Sequence, residues 1–131
     1  MALFKRRPKP IALESLDQLD ELARSGKPVL VDFFQFGCAP CQVMDGIVNE
    51  LAEEFDGRAV VVKANVAKVP EVAMKFKVRS TPTFVLLGIS ERAKAKGREV
   101  VTLRWRASGL VKKDVLAGQL VRNGAGDQLE G

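Results

Sequence analysis

Histidine is absent from this 131-residue chain. That absence excludes nucleophilic catalysis by Ser-His-Asp or Cys-His pairs in their usual form. It also excludes Cys/His zinc sites built within one chain. Tyrosine is absent too, Trp105 is the only tryptophan, and Cys38 and Cys41 are the only cysteines. No internal repeat or low-complexity segment occurs, and no run is long and apolar enough to span a bilayer. The opening MALFKRRPKP is basic, but neither an apolar h-region nor a small-residue cleavage site follows, so it does not read as a secretory signal. These features predict a soluble, cytoplasmic protein without membrane association. In that compartment structural disulfides are rare, and a close pair of cysteines is more often catalytic or metal-binding.

What is present is enough for one domain. Hydrophobic residues make up 47% of the chain, sufficient for a core without disulfide staples. The net charge of +5 is local. Lys5, Arg6, Arg7 and Lys9 lie in the first ten residues, and without them 17 basic residues face 16 acidic ones. This reads as a solvated basic arm rather than a nucleic-acid surface. The expected organisation is an arm over 1–14, one domain over 15–122 and a flexible tail over 123–131, in a monomer.

Hydrophobic periodicity outlines the elements. ESLDQLDELARSGKP predicts a helix capped by Ser15, with Gln18 completing a capping box. Leu16, Leu19, Leu22 and Ala23 form its apolar stripe. VLVDFF at 29–34 is almost wholly apolar, the pattern of a central strand covered on both faces, with Asp32 as the anomaly. Over 38–56, Val43, Met44, Ile47, Val48, Leu51, Ala52 and Phe55 recur at helical spacing. RAVVVKANV predicts a strand, PEVAMKFKV a short helix opened by Pro70, and TPTFVLLG and REVVTLRWRA two more strands. The charged ISERAKAKG between them reads as an exposed connection. SGLVKKDVLAGQLVRN predicts a closing helix with Leu110, Val111, Val115, Leu116 and Leu120 facing inward. Alternation followed by two adjacent strands implies an α/β fold with a mixed sheet of about four to five strands and helices on both faces.

The two cysteines could be a redox pair, half of a metal site shared in a dimer, or two small buried side chains. Their position favours the first. Cys38 follows a core strand and opens a helix, where unpaired N–H groups and the helix dipole stabilise a thiolate. Cys41 lies one turn further on, within reach of Cys38 and deeper in the helix. The result is an asymmetric pair with Cys38 as attacking and Cys41 as resolving sulfur. Pro40 suits a first helical turn, where its missing N–H is not needed.

VLVDFFQFGCAPC resembles the active-site segment of the thioredoxin family, VVVKANV resembles its third strand, and VRSTPTFVLL resembles its cis-proline loop. The resemblance covers roughly residues 15–121. It implies a thioredoxin-like fold and a thiol–disulfide oxidoreductase acting on client proteins, with electrons from a thioredoxin reductase or another dithiol, and with no cofactor or metal. It implies that Asp32 lies behind Cys41 and accepts its proton, that Lys63 moderates the charge of Asp32, and that Thr81–Pro82 is a cis bond facing the disulfide. Gly37, Ala39, Pro40, Thr81, Pro82, Arg106 and Ala107 would form the substrate-facing surface. Ala-Pro between the cysteines is closer to the family's Gly-Pro than to the Pro-His of strong oxidants, which predicts a potential nearer about −270 mV than about −120 mV.

The chain also departs from the family pattern. Phe34 and Gly37 stand where tryptophans are common, Ala39 replaces a glycine, and Gly46 replaces a helix-kinking proline. Arg106 falls near a usual glycine, and the connection over 89–98 is longer than usual. These departures put the usual clients and reductase in question, and they keep open a non-catalytic module that binds one dedicated partner in the same groove. Trp105 would either border the site or pack under the closing helix.

Overall fold

The computed structural model describes residues 7–126. Lys5, Arg6 and residues 127–131 lie outside the described residues. Five strands form one mixed sheet: β1 (Ile11–Ala12), β2 (Val29–Phe34), β3 (Val60–Asn65), β4 (Thr83–Ile89) and β5 (Val101–Ser108), in the spatial order β1-β3-β2-β4-β5. β1 and β2 run parallel to β3, whereas β4 is antiparallel to both β2 and β5. The helices are α1 (Leu16–Ala23), α2 (Ala39–Glu54), α3 (Pro70–Lys75), α4 (Glu91–Ala95) and α5 (Lys113–Leu120).

The apolar run of β2 becomes the centre of the sheet because both its faces are covered. Val29, Val31 and Phe33 point to one side and pack with Leu19, Ala23 and Val72 of α1 and α3. Leu30 points to the other and packs with Met44, Val48, Leu51 and Leu116 of α2 and α5. The period-2 alternation of a strand assigns each residue its layer. Asp32 and its β3 register partner Lys63 therefore share the face of Leu30, the face on which α2 lies. At the far end of α2, Lys113 of α5 donates to Glu50 Oε2 at 2.8 Å and Glu54 Oε1 at 2.7 Å, tying the two helices together.

Several elements differ from the sequence expectation. Ile11–Ala12, within the stretch assigned to a basic arm, pairs with Val62 and Lys63, and Leu13 is buried. A two-residue strand between prolines and a helix cap offers no periodicity to read. The charged connection contains α4, capped by Ser90 Oγ, which accepts from Ala93 N–H at 3.3 Å, with Ala93 buried. Leu110 and Val115 are exposed rather than inward-facing. The helix begins only at Lys113, which leaves Leu110 in the preceding loop. Val43 is 62% exposed, on the solvent side of α2. Ser15 does cap α1, accepting from Gln18 N–H at 3.0 Å, but Gln18 returns its bond to Glu14 N–H rather than to Ser15. After Leu120 the chain winds through a wide turn at Val121–Ala125. There Ala125 is buried and Arg58 Nη1 donates to Gly126 O at 2.8 Å, so residues 123–126 of the expected tail pack on the domain.

Candidate active site

The site forms where strand directions bring three chain segments to one end of the sheet. β2 ends at Phe34, and the loop after it leads into α2. Because β4 is antiparallel to β2, its first residue, Thr83, lies opposite Phe33. β5 in turn ends with Ser108 opposite Thr83. The loops before β4 and after β5 therefore meet the start of α2.

Cys38 is the N-cap of α2, and its Sγ accepts from Cys41 N–H at 3.2 Å. The two sulfurs are joined in a disulfide, with Cα atoms 5.2 Å apart. Cys38 is half-buried and Cys41 buried, Pro40 sits in the first turn, and Ala39 is exposed. Gly37 has φ +77°, a left-handed conformation strained for any other side chain, so the tryptophan common at this position would carry a backbone penalty here. The exposed aromatic of this loop is instead Phe36, 80% exposed, whose ring meets Phe34 edge-on at 6.0 Å.

The Thr81–Pro82 bond is cis. Thr81 O and Thr81 Oγ1 each lie 3.5 Å from Cys38 Sγ. The loop is braced from behind, where Thr83 Oγ1 donates to Ser80 O at 2.7 Å and Gly109 N–H donates to Pro82 O at 2.9 Å. Ala107 pairs with Phe84 beside this loop. Arg106 is exposed on β5. Its guanidinium donates to Phe76 O and, at 2.9 Å, to Lys77 O, clamping the segment that follows α3. Trp105 packs half-buried against the α2–α5 core opposite Leu86.

Asp32 is 2% exposed, and its Oδ1 has no hydrogen-bond partner. Burial pushes its carboxyl from 3.8 up to about 7; Lys63 pulls it down and Asp45 pushes it up again. Lys63 Nζ makes its ion pair with Asp45 Oδ1 and lies 4.6 Å from the centre of the Phe34 ring. Asp45 escaped the sequence reading. The signal for it was its spacing, four residues after Cys41 and so on the same side of α2. Among the described residues no group of three or more His, Cys, Asp or Glu side chains could hold a metal ion.

A half-exposed sulfur at a helix N-terminus, linked to a buried sulfur one turn away, can open and close against another disulfide. Fold and site together set a reversible dithiol–disulfide pair at a helix N-terminus on a mixed α/β sheet. The family model described as Thioredoxin matches residues 11–103, and the chain belongs to the thioredoxin family. It is 35% identical over 94 residues to Thioredoxin 1 of Chlorobaculum tepidum, covering 71% of this chain and 82% of that one. It is 45% identical over 67 residues to the chloroplastic Thioredoxin Y1 of Arabidopsis thaliana, covering 51% of this chain and 39% of that one. With the chloroplastic Thioredoxin Y2 of the same plant the match is 42% over 84 residues, covering 49% of the relative. The chain thus spans half or less of those two plant relatives. A solved mutant thioredoxin from Halobacterium salinarum NRC-1 superposes with a TM-score of 0.70 at 28% identity, over 91% of this chain and 95% of that one. No helix of the described residues is long and apolar enough to cross a membrane.

Proposed function

We propose that the protein reduces disulfides of client proteins through reversible closure of Cys38–Cys41. Cys38 thiolate attacks a client disulfide, forming a mixed disulfide and releasing one client thiolate. Cys41 gives its proton to Asp32 and attacks Cys38 Sγ. The Cys38–Cys41 bond forms, the mixed disulfide breaks, and the second client sulfur leaves as a thiolate that takes up a proton. The dithiol loses two electrons and the client disulfide gains them. A thioredoxin reductase or another dithiol donor then reopens the pair. The backbone at Thr81–Pro82, with Gly37, Ala39, Pro40 and Ala107, receives an extended client segment much as a sheet edge receives a strand. Arg106 supports that surface through the Phe76 and Lys77 carbonyls. We assign the protein to the cytoplasm as a monomer without nucleic-acid partners. Cell fractionation tests the first point, since two relatives are named chloroplastic.

The observation that carries this reading is the asymmetry of the pair, with Cys38 half-buried 3.5 Å from Thr81 and Cys41 buried behind it. Turnover of a generic protein disulfide with dithiothreitol as donor tests it. Cys38→Ser is expected to abolish turnover, and Cys41→Ser to accumulate mixed disulfides. Full turnover by Cys38→Ser would refute the mechanism.

A further inference from the structure

The residues behind Cys41 include one charge that the mechanism above leaves unused. Asp45 lies four residues after Cys41 on α2, its side chain 44% exposed. Lys63 and Asp32 are direct partners across β3 and β2, with both side chains on the α2 side of the sheet. The ammonium therefore has two carboxylates to choose from, and its ion pair goes to the outer one, Asp45. The inner one is left with Oδ1 unpartnered. A cavity of about 220 Å³ adjoins these groups, lined by Cys41, Gln42, Asp45 and Lys63 and walled by Phe34 and Phe36.

We propose that Asp45 is a positioning residue for the resolving step: it holds the Lys63 ammonium toward the cavity, so that Asp32 meets Cys41 without a counter-ion bonded to it. The inference rests on Cys41 being the resolving thiol and Asp32 its proton acceptor.

The physical consequence follows from proton affinity. A carboxylate bonded to an ammonium is a weak base, because the pair favours the ionised form. A thiol releases its proton near pH 8.5, so an acceptor titrating near 7 is far better matched to it than one near 4. Burial alone would raise the proton affinity of Asp32, but a free lysine directly across the ladder would cancel much of that rise by turning inward. Asp45 engages the lysine from outside. The charged groups facing Asp32 are Lys63 from β3 and Asp45 from α2. Cys41 shares that side of α2, and from β4 the register partner Phe84 brings no charge.

The test titrates the oxidised protein, in which neither cysteine ionises, by following the Asp32 side-chain carboxyl carbon by NMR. In Asp45→Asn the Asp32 midpoint is expected to fall by about one pH unit or more, the range for a newly available opposite charge. Asp45→Glu is expected to restore it. In a Lys63→Gln background, Asp45→Asn should move the midpoint much less, because the ammonium that transmits the effect is gone. The rate of mixed-disulfide resolution above pH 7 should fall by roughly tenfold in Asp45→Asn, in proportion to the lost basicity. An unchanged Asp32 midpoint in Asp45→Asn would overturn the proposal. So would a shift of equal size with and without Lys63. If instead the unmodified protein reduced no disulfide, the functional reading would fail while the titration still decided the place of Lys63.

Discussion

Replacing Asp32 by Asn gives a measurement of stability rather than of catalysis, and its size follows from burial. The carboxyl has no partner on Oδ1 and is 2% exposed. Its proton is held up to about 7 in the folded protein, against 3.8 in an ordinary carboxyl. The folded state therefore binds the proton more tightly than the unfolded chain between those two values. Below about pH 4 both states are protonated and the residue carries no penalty. As pH rises toward 7 the unfolded chain ionises first, so stability falls, and above about 7 the fall levels off. The gap corresponds to about 4 kcal/mol at ~1.4 kcal/mol per tenfold change, an upper figure for a group that water can reach by local motion. Asn has nearly the same shape and never ionises. Urea unfolding of the oxidised protein and of oxidised Asp32→Asn, from pH 4 to pH 8.5, isolates the effect in the difference between the two curves. The variant is expected to gain on the parent from pH 4 to about 7, and then to hold a lead of a few kcal/mol to the alkaline end. Other titrating groups are common to both proteins and cancel. Two parallel curves would show that Asp32 ionises as easily folded as unfolded, and the reasoning from its burial would fail.

Trp105→Ala is expected to destabilise the protein by about 2–3 kcal/mol, below the range for a fully buried aromatic because the indole is only half covered. Trp105 pairs with Leu86, three strand positions beyond Thr83, or about 10 Å along β4 at ~3.4 Å per residue. Its emission should accordingly change little when the disulfide is reduced, and strong quenching in one redox state would place it at the site instead. Arg106→Lys should loosen the segment after α3, since an ammonium cannot reproduce a planar fork across two carbonyls. Faster amide exchange at residues 77–80 and a higher KM for client with unchanged global stability are the expected signs; unchanged exchange would show that the clamp is idle.

The sequence was most legible where a pattern repeats. VLVDFF could only be a covered central strand, and its lone Asp32 marked itself by being the wrong kind of residue for that place. The stripe over α2 and the Gly and Pro punctuation located the long elements within a few residues. The two shortest elements were not legible, although the six-residue α3 opened by Pro70 was. β1 is two residues long, and α4 is a single turn rich in charge, so neither offers a period. The outward turn of Leu110 and Val115 depended on where α5 starts, and no cap marks it, since Lys112 makes no side-chain capping bond. At the site, Cys38 and Cys41 were read from their place between strand and helix and Thr81 and Pro82 from the family resemblance, and the structure brings them together through the direction of β4. Side-chain choices were harder. That Arg106 turns to backbone carbonyls, and that Lys63 pairs with Asp45, depends on tertiary neighbours far away in sequence.

The antiparallel entry of β4 has a consequence for how the molecule tolerates change. β4 begins beside Cys38 and carries the chain about 20 Å away, at ~3.4 Å per residue, before Ser90 and α4. The hairpin end, where α4 lies, is thus remote from the disulfide, and a register shift between Leu86 and Leu87 separates its pairing from that of Thr83 with Ser108. A fluorophore, an affinity handle or a short grafted peptide placed at 95–98 should leave the redox potential untouched. The same graft at 77–80 would adjoin the Thr81–Pro82 loop, whose Thr81 O lies 3.5 Å from Cys38 Sγ, and would be expected to change the potential. One end of the sheet lies far from the disulfide, while the other is tied to it through the Thr81–Pro82 loop.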